Sequence, residues 1–241
     1  MRALKFHCGR FDVRPGRPLP DALLREDLDT LQCGFANLEG HLANLRRYGI
    51  PIVVAINQFP SDTKAKLDLI KTLALESGAK RIAHTAAFSR GGEGSLELAD
   101  AVIDACSDVN PERGFQHLYA LDLPYQQKIE RIAMQTYGAD GIELHDGVAD
   151  QLNEFARQGY GHLPVCIAKT QYSLSHESKR PGRPTGFRLP IREVRLAAGA
   201  GFVLVLTDGI SLMPGLPREP AALRIDVDAA GGIVGLGPAD I

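Results

Sequence analysis

Pro51-Ile52-Val53-Val54-Ala55-Ile56 is a continuous apolar run, and its reading decides the fold. A run of this kind predicts a strand buried on both faces, as in a parallel sheet. On its N-terminal side Leu31, Phe35, Leu38, Leu42 and Leu45 recur at spacings of four and three, one face of a helix that Gly49 stops. On its C-terminal side comes the loop Asn57-Gln58-Phe59-Pro60-Ser61-Asp62-Thr63. Ser61 or Asp62 is expected to cap the next helix, which carries Leu67, Ile70, Leu73 and Leu75 and ends at Gly78. Arg81-Ile82-Ala83 begins a second strand, followed by the loop Phe88-Ser89-Arg90-Gly91-Gly92-Glu93-Gly94. Leu96, Leu98, Ala99, Val102 and Ile103 then predict a third helix. Strand and helix alternate, which argues for a doubly wound α/β core.

Past position 111 the pattern loosens. Residues 124–137 read as a helix with Ile129, Ile132, Ala133 and Tyr137 on one side, and residues 148–158 as another. Pro164-Val165-Cys166-Ile167-Ala168 repeats the buried-strand pattern. Residues 170–185 are polar and carry Pro181, Gly182 and Pro184, a long loop of the kind that is often functional. Residues 187–196 and 202–206 read as strands, and residues 14–20 and the tail from 213 as irregular. The expected class is α/β, a mostly parallel sheet with flanking helices over residues 1–110, followed by a smaller α+β region over residues 111–241.

Hydrophobic residues make up 44% and charged residues 23% of the chain, ordinary for a globular protein. The net charge of -2 gives no basic excess for nucleic acid. No apolar run reaches about 18 residues, so neither a membrane span nor a membrane partner is expected, and the N-terminus lacks the apolar core of a signal peptide. Cys8, Cys33, Cys106 and Cys166 are scattered without a C-x-x-C pair. They predict no metal site, reduced thiols and a cytoplasmic setting.

Both loops after the first two strands place an aromatic residue where a parallel sheet opens onto a ligand, an arrangement suited to holding a flat heterocycle. Asn57 stands at the end of a buried strand, where α/β sheets bind ligands, or it caps the turn that follows. Gly91, Gly92 and Gly94 permit close approach to a ligand. Glu93 either accepts from N–H groups of such a ligand or complements the N-terminus of the next helix. Phe59 and Phe88 have the alternative of belonging to the core. Lys169, after the second buried run, either meets an anion or ties its loop to the core. Arg192 and Arg195, three apart on a strand, are expected on opposite faces, one of them paired with Glu193 or Asp226.

Several blocks occur in one order: Met1-Arg2-Ala3-Leu4-Lys5-Phe6-His7-Cys8-Gly9, Gly49-Ile50-Pro51-Ile52-Val53-Val54-Ala55-Ile56-Asn57, Gly91-Gly92-Glu93-Gly94, Ile132 with Tyr137-Gly138-Ala139-Asp140, Leu163-Pro164-Val165-Cys166-Ile167-Ala168-Lys169-Thr170-Gln171-Tyr172-Ser173, and Met213-Pro214-Gly215-Leu216-Pro217. Together they resemble formate–tetrahydrofolate ligase (10-formyltetrahydrofolate synthetase) over nearly the whole chain, corresponding to the C-terminal part of that longer enzyme. The first block matches the second half of the family's V-A-T-V-R-A-L-K-x-H-G-G motif, with Cys8 in place of a glycine.

The resemblance implies a P-loop NTPase-like fold, cytoplasmic one-carbon metabolism, and a ligase that joins formate to tetrahydrofolate at the expense of ATP, through formyl phosphate. It implies tetrahydrofolate as substrate and MgATP on a G-x-x-x-x-G-K-[ST] loop. No such loop occurs in the 241 residues, and Gly91-Gly92-Glu93-Gly94-Ser95 lacks the lysine and the spacing. The chain is therefore expected to be a truncated, folate-binding part that needs a P-loop-containing partner chain.

By the same resemblance the pterin lies between Phe59-Pro60 and Phe88, beneath His84, with Asn57, Gly91, Gly92, Glu93 and Gly94 around it. Phe88 replaces a family tryptophan, and the chain contains no tryptophan. A weaker stacking platform is expected, since aromatic pairs contribute about 0.5–1.5 kcal/mol beyond area burial. The family also suggests self-association. Two alternatives are a non-catalytic folate-binding or regulatory module, and a remnant acting in protein association through an exposed apolar face.

Overall fold

The computed structural model describes residues 1–13, 18–59, 61–109, 114–212 and 218–235. The chain divides into two units. Met1–Asp12 with Leu19–Ile210 forms the first, and Val13–Pro18 with Ser211–Ile241 the second.

The first unit opens with α1 (Arg2–His7), α2 (Asp21–Leu24) and the long α3 (Leu28–Arg46), whose N-terminus is capped by Asp27 accepting from the Thr30 N–H. β1 (Val53–Asn57) and β2 (Arg81–Thr85) follow as a parallel pair, joined by α4 (Lys64–Glu76). Next come α5 (Ala87–Arg90), a 3-10 turn at Gly91–Ser95 and α6 (Leu96–Ser107). The remainder of the unit is α7 (Tyr125–Tyr137), β3 (Ile142–Leu144), α8 (Val148–Phe155), β4 (Val165–Ala168), β5 (Leu189–Ala197) and β6 (Phe202–Thr207). Its sheet has the order β3-β5-β6-β4, parallel at both edges and antiparallel in the middle. In the second unit β7 (Asp226–Val227) and β8 (Ile233–Val234) form a short antiparallel pair.

The class is therefore α/β, with one parallel and one mixed sheet among the described residues of the first unit. Two clusters of buried side chains separate along the first unit. Leu31, Phe35 and Leu42 of α3 pack with Ile56 of β1 and with Ile70 and Ala74 of α4. Ile129 and Ala133 of α7 and Leu152 of α8 pack with Leu189, Ile191, Val194, Val203 and Val205 of the mixed sheet.

The expectation of a strand buried on both faces is corrected for β1. Ile56 is buried, whereas Ala55 and Asn57 are exposed. Among the described residues β1 has β2 as its only strand neighbour, so no described strand pairs with its far edge. β4 departs likewise, because it lies at the edge of its sheet and leaves Cys166 exposed. The helix predicted after the glycine loop is present as α6, but it buries Ala101 and Ala105 and turns Leu96 (61% exposed) and Ile103 (63%) outward. α4 is capped by Thr63, accepting from the Lys66 N–H, rather than by Ser61 or Asp62. Arg192 and Arg195 both reach Glu193, the first at 3.9 Å. A register irregularity between Ile191 and Glu193 breaks the simple alternation that would part them.

Reduced thiols were expected throughout, and the structure instead joins Cys8 to Cys33, with Cα atoms 5.2 Å apart. α1 lies so close on α3 that a Cβ on Gly34 would stand 1.7 Å from the Leu4 carbonyl oxygen. This contact brings the two cysteines together. Cys106 and Cys166 are free. No described helix is long and apolar enough to cross a membrane, and no described group of three or more His, Cys, Asp or Glu is placed to hold a metal ion.

Three lysines are almost fully buried, and each ends on backbone carbonyls. Lys5 donates to the carbonyls of Ala22 (2.7 Å), Leu23 (3.1 Å) and Arg25 (2.8 Å) at the end of α2. Lys66 donates to those of Ser61 (3.2 Å) and Leu24 (3.4 Å). Lys128 donates to those of Gly161 (2.7 Å) and Leu163 (2.9 Å). Buried charge is tolerated where its hydrogen bonds are complete.

Candidate functional site

The two aromatic loops leave the same end of one parallel pair. Asn57 stands opposite Thr85 in the register, and the Gln58 N–H donates to the Thr85 carbonyl at 3.0 Å. The segments that begin at Gln58 and Ala86 therefore start side by side at the carboxyl end of the strands, where α/β sheets place ligands.

Asp62 shapes the first loop. Its Oδ2 accepts the Phe59 N–H at 3.0 Å, and its own N–H donates to the Phe59 carbonyl at 2.9 Å. The turn is thus closed by Asp62, not capped by Asn57. Phe59 is half-buried, and the Arg2 guanidinium lies over its ring, 3.8 Å from the centroid. Asn57 and Phe59 line one open, mainly apolar cavity of about 470 Å³, together with Met1, Leu4, Val54 and Ile70. Pro60 lies outside the described residues.

The second loop is built on glycine. The Ala86 N–H donates to the Gly94 carbonyl at 2.8 Å, and the hydroxyls of Thr85 and Ser95 meet at 2.9 Å. A Cβ at Gly94 would fall 2.6 Å from the Ala86 carbonyl oxygen, so only glycine fits. Gly91 adopts φ +58°, which an L side chain resists. Gly91 and Gly92 are exposed, with no atom within 4 Å of a built Cβ. Glu93 is exposed and faces Arg90 at 3.6 Å.

Phe88, on α5, is 96% exposed. No core contact accounts for so large an apolar ring in water. The structure thus leaves one aromatic with a covered face and the other bare. His84 sits opposite Ile56 in the register and by alternation on the face of Val54 and Ile56. Its Nδ1 is buried without a hydrogen-bond partner among the described residues. Of the expected residues, Asn57 and Phe59 share the cavity; His84, Phe88, Gly91, Gly92, Glu93 and Gly94 do not line it. Arg2 escaped the sequence reading, because a guanidinium stacked on a distant ring leaves no trace in spacing.

A model of the family described as formate–tetrahydrofolate ligase matches residues 1–237. This chain belongs to the formate–tetrahydrofolate ligase family. It is 48% identical over 236 residues to a cytoplasmic C-1-tetrahydrofolate synthase of Schizosaccharomyces pombe, covering 98% of this chain and 25% of that protein. It is also 48% identical to a formate–tetrahydrofolate ligase of Aeromonas hydrophila, with 98% and 40% covered. A formate–tetrahydrofolate ligase of Roseiflexus sp. is 45% identical, with 98% and 41% covered. The chain thus spans between a quarter and about two fifths of the length of these curated relatives.

In this member of the formate–tetrahydrofolate ligase family the described residues do not fit the phosphates of ATP. Gly91–Ser95 is the nearest glycine-rich turn, and it closes on Ala86 through the Gly94 carbonyl. It carries the Glu93 carboxylate and no lysine, whereas a phosphate loop needs converging N–H groups and a cation. Lys169 takes the structural alternative, donating to the carbonyls of Thr170 (2.9 Å), Ser173 and Ser175 (3.1 Å) and so tying its loop down.

Proposed function

We propose that this chain supplies the tetrahydrofolate-binding part of ATP-dependent formate–tetrahydrofolate ligation. The observation that carries the reading is the bare Phe88 ring on a loop that starts beside that of Phe59 at the carboxyl end of β1 and β2. A pterin is flat and apolar on its faces, with donors and acceptors along its edge. Phe88 offers one face to it, and Phe59 the side of its ring away from Arg2. The side-chain amide of Asn57 can read the edge, and the open space over Gly91 and Gly92 leaves room for the ligand to approach. His84 Nδ1 becomes a further acceptor or donor if ligand binding draws it toward the ring.

ATP is held elsewhere in this reading, on a P-loop-bearing segment that lies outside these 241 residues. This chain therefore binds and orients the formyl acceptor, and no phosphoryl step runs through it. The test is to mix the chain with a separately expressed P-loop half of the family and to follow formate- and MgATP-dependent formation of 10-formyltetrahydrofolate. Formyl transfer by the mixture, and by neither piece alone, supports the proposal. A folded, tetrahydrofolate-free chain that never complements the P-loop half counts against it.

One observation favours a second reading, association with another polypeptide. α6 buries Ala101 and Ala105 and exposes Leu96, Val102 and Ile103, an apolar stripe of the kind that marks contact surfaces. Sedimentation of the chain alone, against a Leu96→Glu, Ile103→Glu double variant, distinguishes self-association from a surface kept for a different partner.

A further inference from the structure

A second cavity of the first unit, about 340 Å³, is lined by His7, Asn37, His41, Tyr137, Lys169 and Gln171, among others. It combines α1, α3, the end of α7 and the segment after β4. None of the side chains that line it is an aspartate or a glutamate, so three basic groups share one space without a counter-charge.

Their hydrogen bonds fix what each can offer a ligand. The ammonium of Lys169 spends its protons on the carbonyls of Thr170, Ser173 and Ser175 and stands 5.0 Å from the Tyr137 ring centroid. It contributes positive charge but no free N–H. Burial pulls its pKa down to about 8, which leaves it protonated at pH 7. The Gly182 N–H donates to His7 Nδ1 at 3.0 Å, so the neutral ring carries its proton on Nε2. Asn37 is buried and donates through Nδ2 to the Gly182 carbonyl at 2.9 Å, fixing the loop that orients His7. Burial lowers the pKa of His41, and the charge of Lys169 lowers it further. Burial lowers that of His7, with His41 a lesser cause. Perturbed basic groups gathered in one cavity are the kind that mark functional clefts, and an anion there would offset the smaller, charge-repulsion part of these shifts.

We propose that this cavity binds an oxyanion, a carboxylate or a phosphate group, with the imidazoles of His7 and His41 donating to it and Lys169 supplying fixed positive charge. This site is separate from the aromatic loops at the carboxyl end of β1 and β2, and it stands or falls without the tetrahydrofolate reading.

The test is NMR of the histidine ring signals of the whole chain at pH 7, titrated with inorganic phosphate and, separately, with glutarate. The His7 and His41 signals shift saturably, whereas that of the exposed His162 does not. Saturation by phosphate alone identifies a phosphate site, by glutarate alone a carboxylate site, and by both an oxyanion site of broad selectivity. His41→Gln weakens binding about tenfold, equivalent to ~1.4 kcal/mol for one lost ligand hydrogen bond, and changes the melting temperature little, because the His41 ring is only partly covered and stays open to solvent on one side. Lys169→Met abolishes binding; should it also unfold its loop, the His41→Gln result decides. Absence of saturable shifts at His7 and His41 with either probe overturns the proposal, as does a His41→Gln chain that binds as tightly as the parent.

Discussion

Replacing Gly34 by alanine tests how the cavity around Phe59 is walled. Gly34 sits inside α3, where alanine alone would stabilise the helix by about 1 kcal/mol. The new Cβ, however, would stand 1.7 Å from the Leu4 carbonyl oxygen, 2.6 Å from its carbon and 3.0 Å from the Cys8 nitrogen. All three are backbone atoms of α1 or of Cys8 at its C-cap and cannot swing aside, so the helices must part by roughly 1.7 Å to restore ordinary contact. Parting them strips packing contacts from Leu31, which is fully buried, and from Leu4, which is partly buried against the same cluster. At roughly 2 kcal/mol for each side chain the loss is about 4 kcal/mol, so about 3 kcal/mol of net destabilisation remains after the helix gain. Urea unfolding with the thiols reduced, so that the Cys8–Cys33 bond does not hold α1 in place, measures it directly. Because Arg2 and Leu4 line the Phe59 cavity, the variant also uncovers that ring. A Gly34→Ala chain as stable as the parent, or more so, would refute the close docking of α1 on α3.

Three further outcomes are expected. Reducing the Cys8–Cys33 bond, whose sequence separation is 25, lowers stability by ~3.5 kcal/mol on the chain-entropy model, read as a drop in the urea midpoint that a Cys8→Ser, Cys33→Ser chain reproduces and no longer shows on reduction. Phe88→Ala leaves the melting temperature within the scatter of surface variants, about 0.5 kcal/mol in stability, because the ring is 96% exposed, yet it weakens tetrahydrofolate binding up to about tenfold; equal affinity in calorimetry removes Phe88 from the site. Stability rises with pH between about 8 and 10. The folded pKa of Lys169 is lowered to about 8, and those of Lys5 and Lys128 are lowered too, all chiefly by burial. The unfolded chain therefore binds more protons in that window. For Lys169, which is partly exposed, the slope stays well below the ~1.4 kcal/mol per pH unit of a whole proton. Above pH 10 Tyr125 and Tyr137, whose pKa values burial raises, reverse the slope. Urea midpoints that fall from pH 8 to pH 9.5 would contradict this.

Periodicity made α3 and α7 legible, because a helix buried along one stripe repeats its large apolar residues. It misjudged α6 for the same reason. The pattern of Leu96, Val102 and Ile103 marks the larger side chains, whereas the buried positions are Ala101 and Ala105, which carry little hydrophobic signal. The apolar run of β1 correctly marked a strand of a parallel pair, but composition does not say how many neighbours a strand has, and its open edge emerged only in three dimensions. Lys5, Lys66 and Lys128 give no sign of burial in the sequence. They are internal because each finds backbone carbonyls at a helix end or turn. Cys8 and Cys33 gave no spacing signal, since α1 and α3 bring them together across a long intervening segment. In the candidate site, the positions of Phe59, Phe88 and the glycines at strand ends were readable as loop chemistry. The covering of Phe59 by Arg2 and the bareness of Phe88 were not, because both are matters of tertiary neighbours.

The decisive measurement is calorimetric titration of the intact chain with tetrahydrofolate, in the absence of ATP and formate, on the parent and on Phe88→Ala. Saturable binding by the parent, weakened in the variant at unchanged folding stability, is the expected result. A well-folded parent that takes up no tetrahydrofolate, or one that binds it equally well without the Phe88 ring, would contradict a folate site at the carboxyl end of β1 and β2.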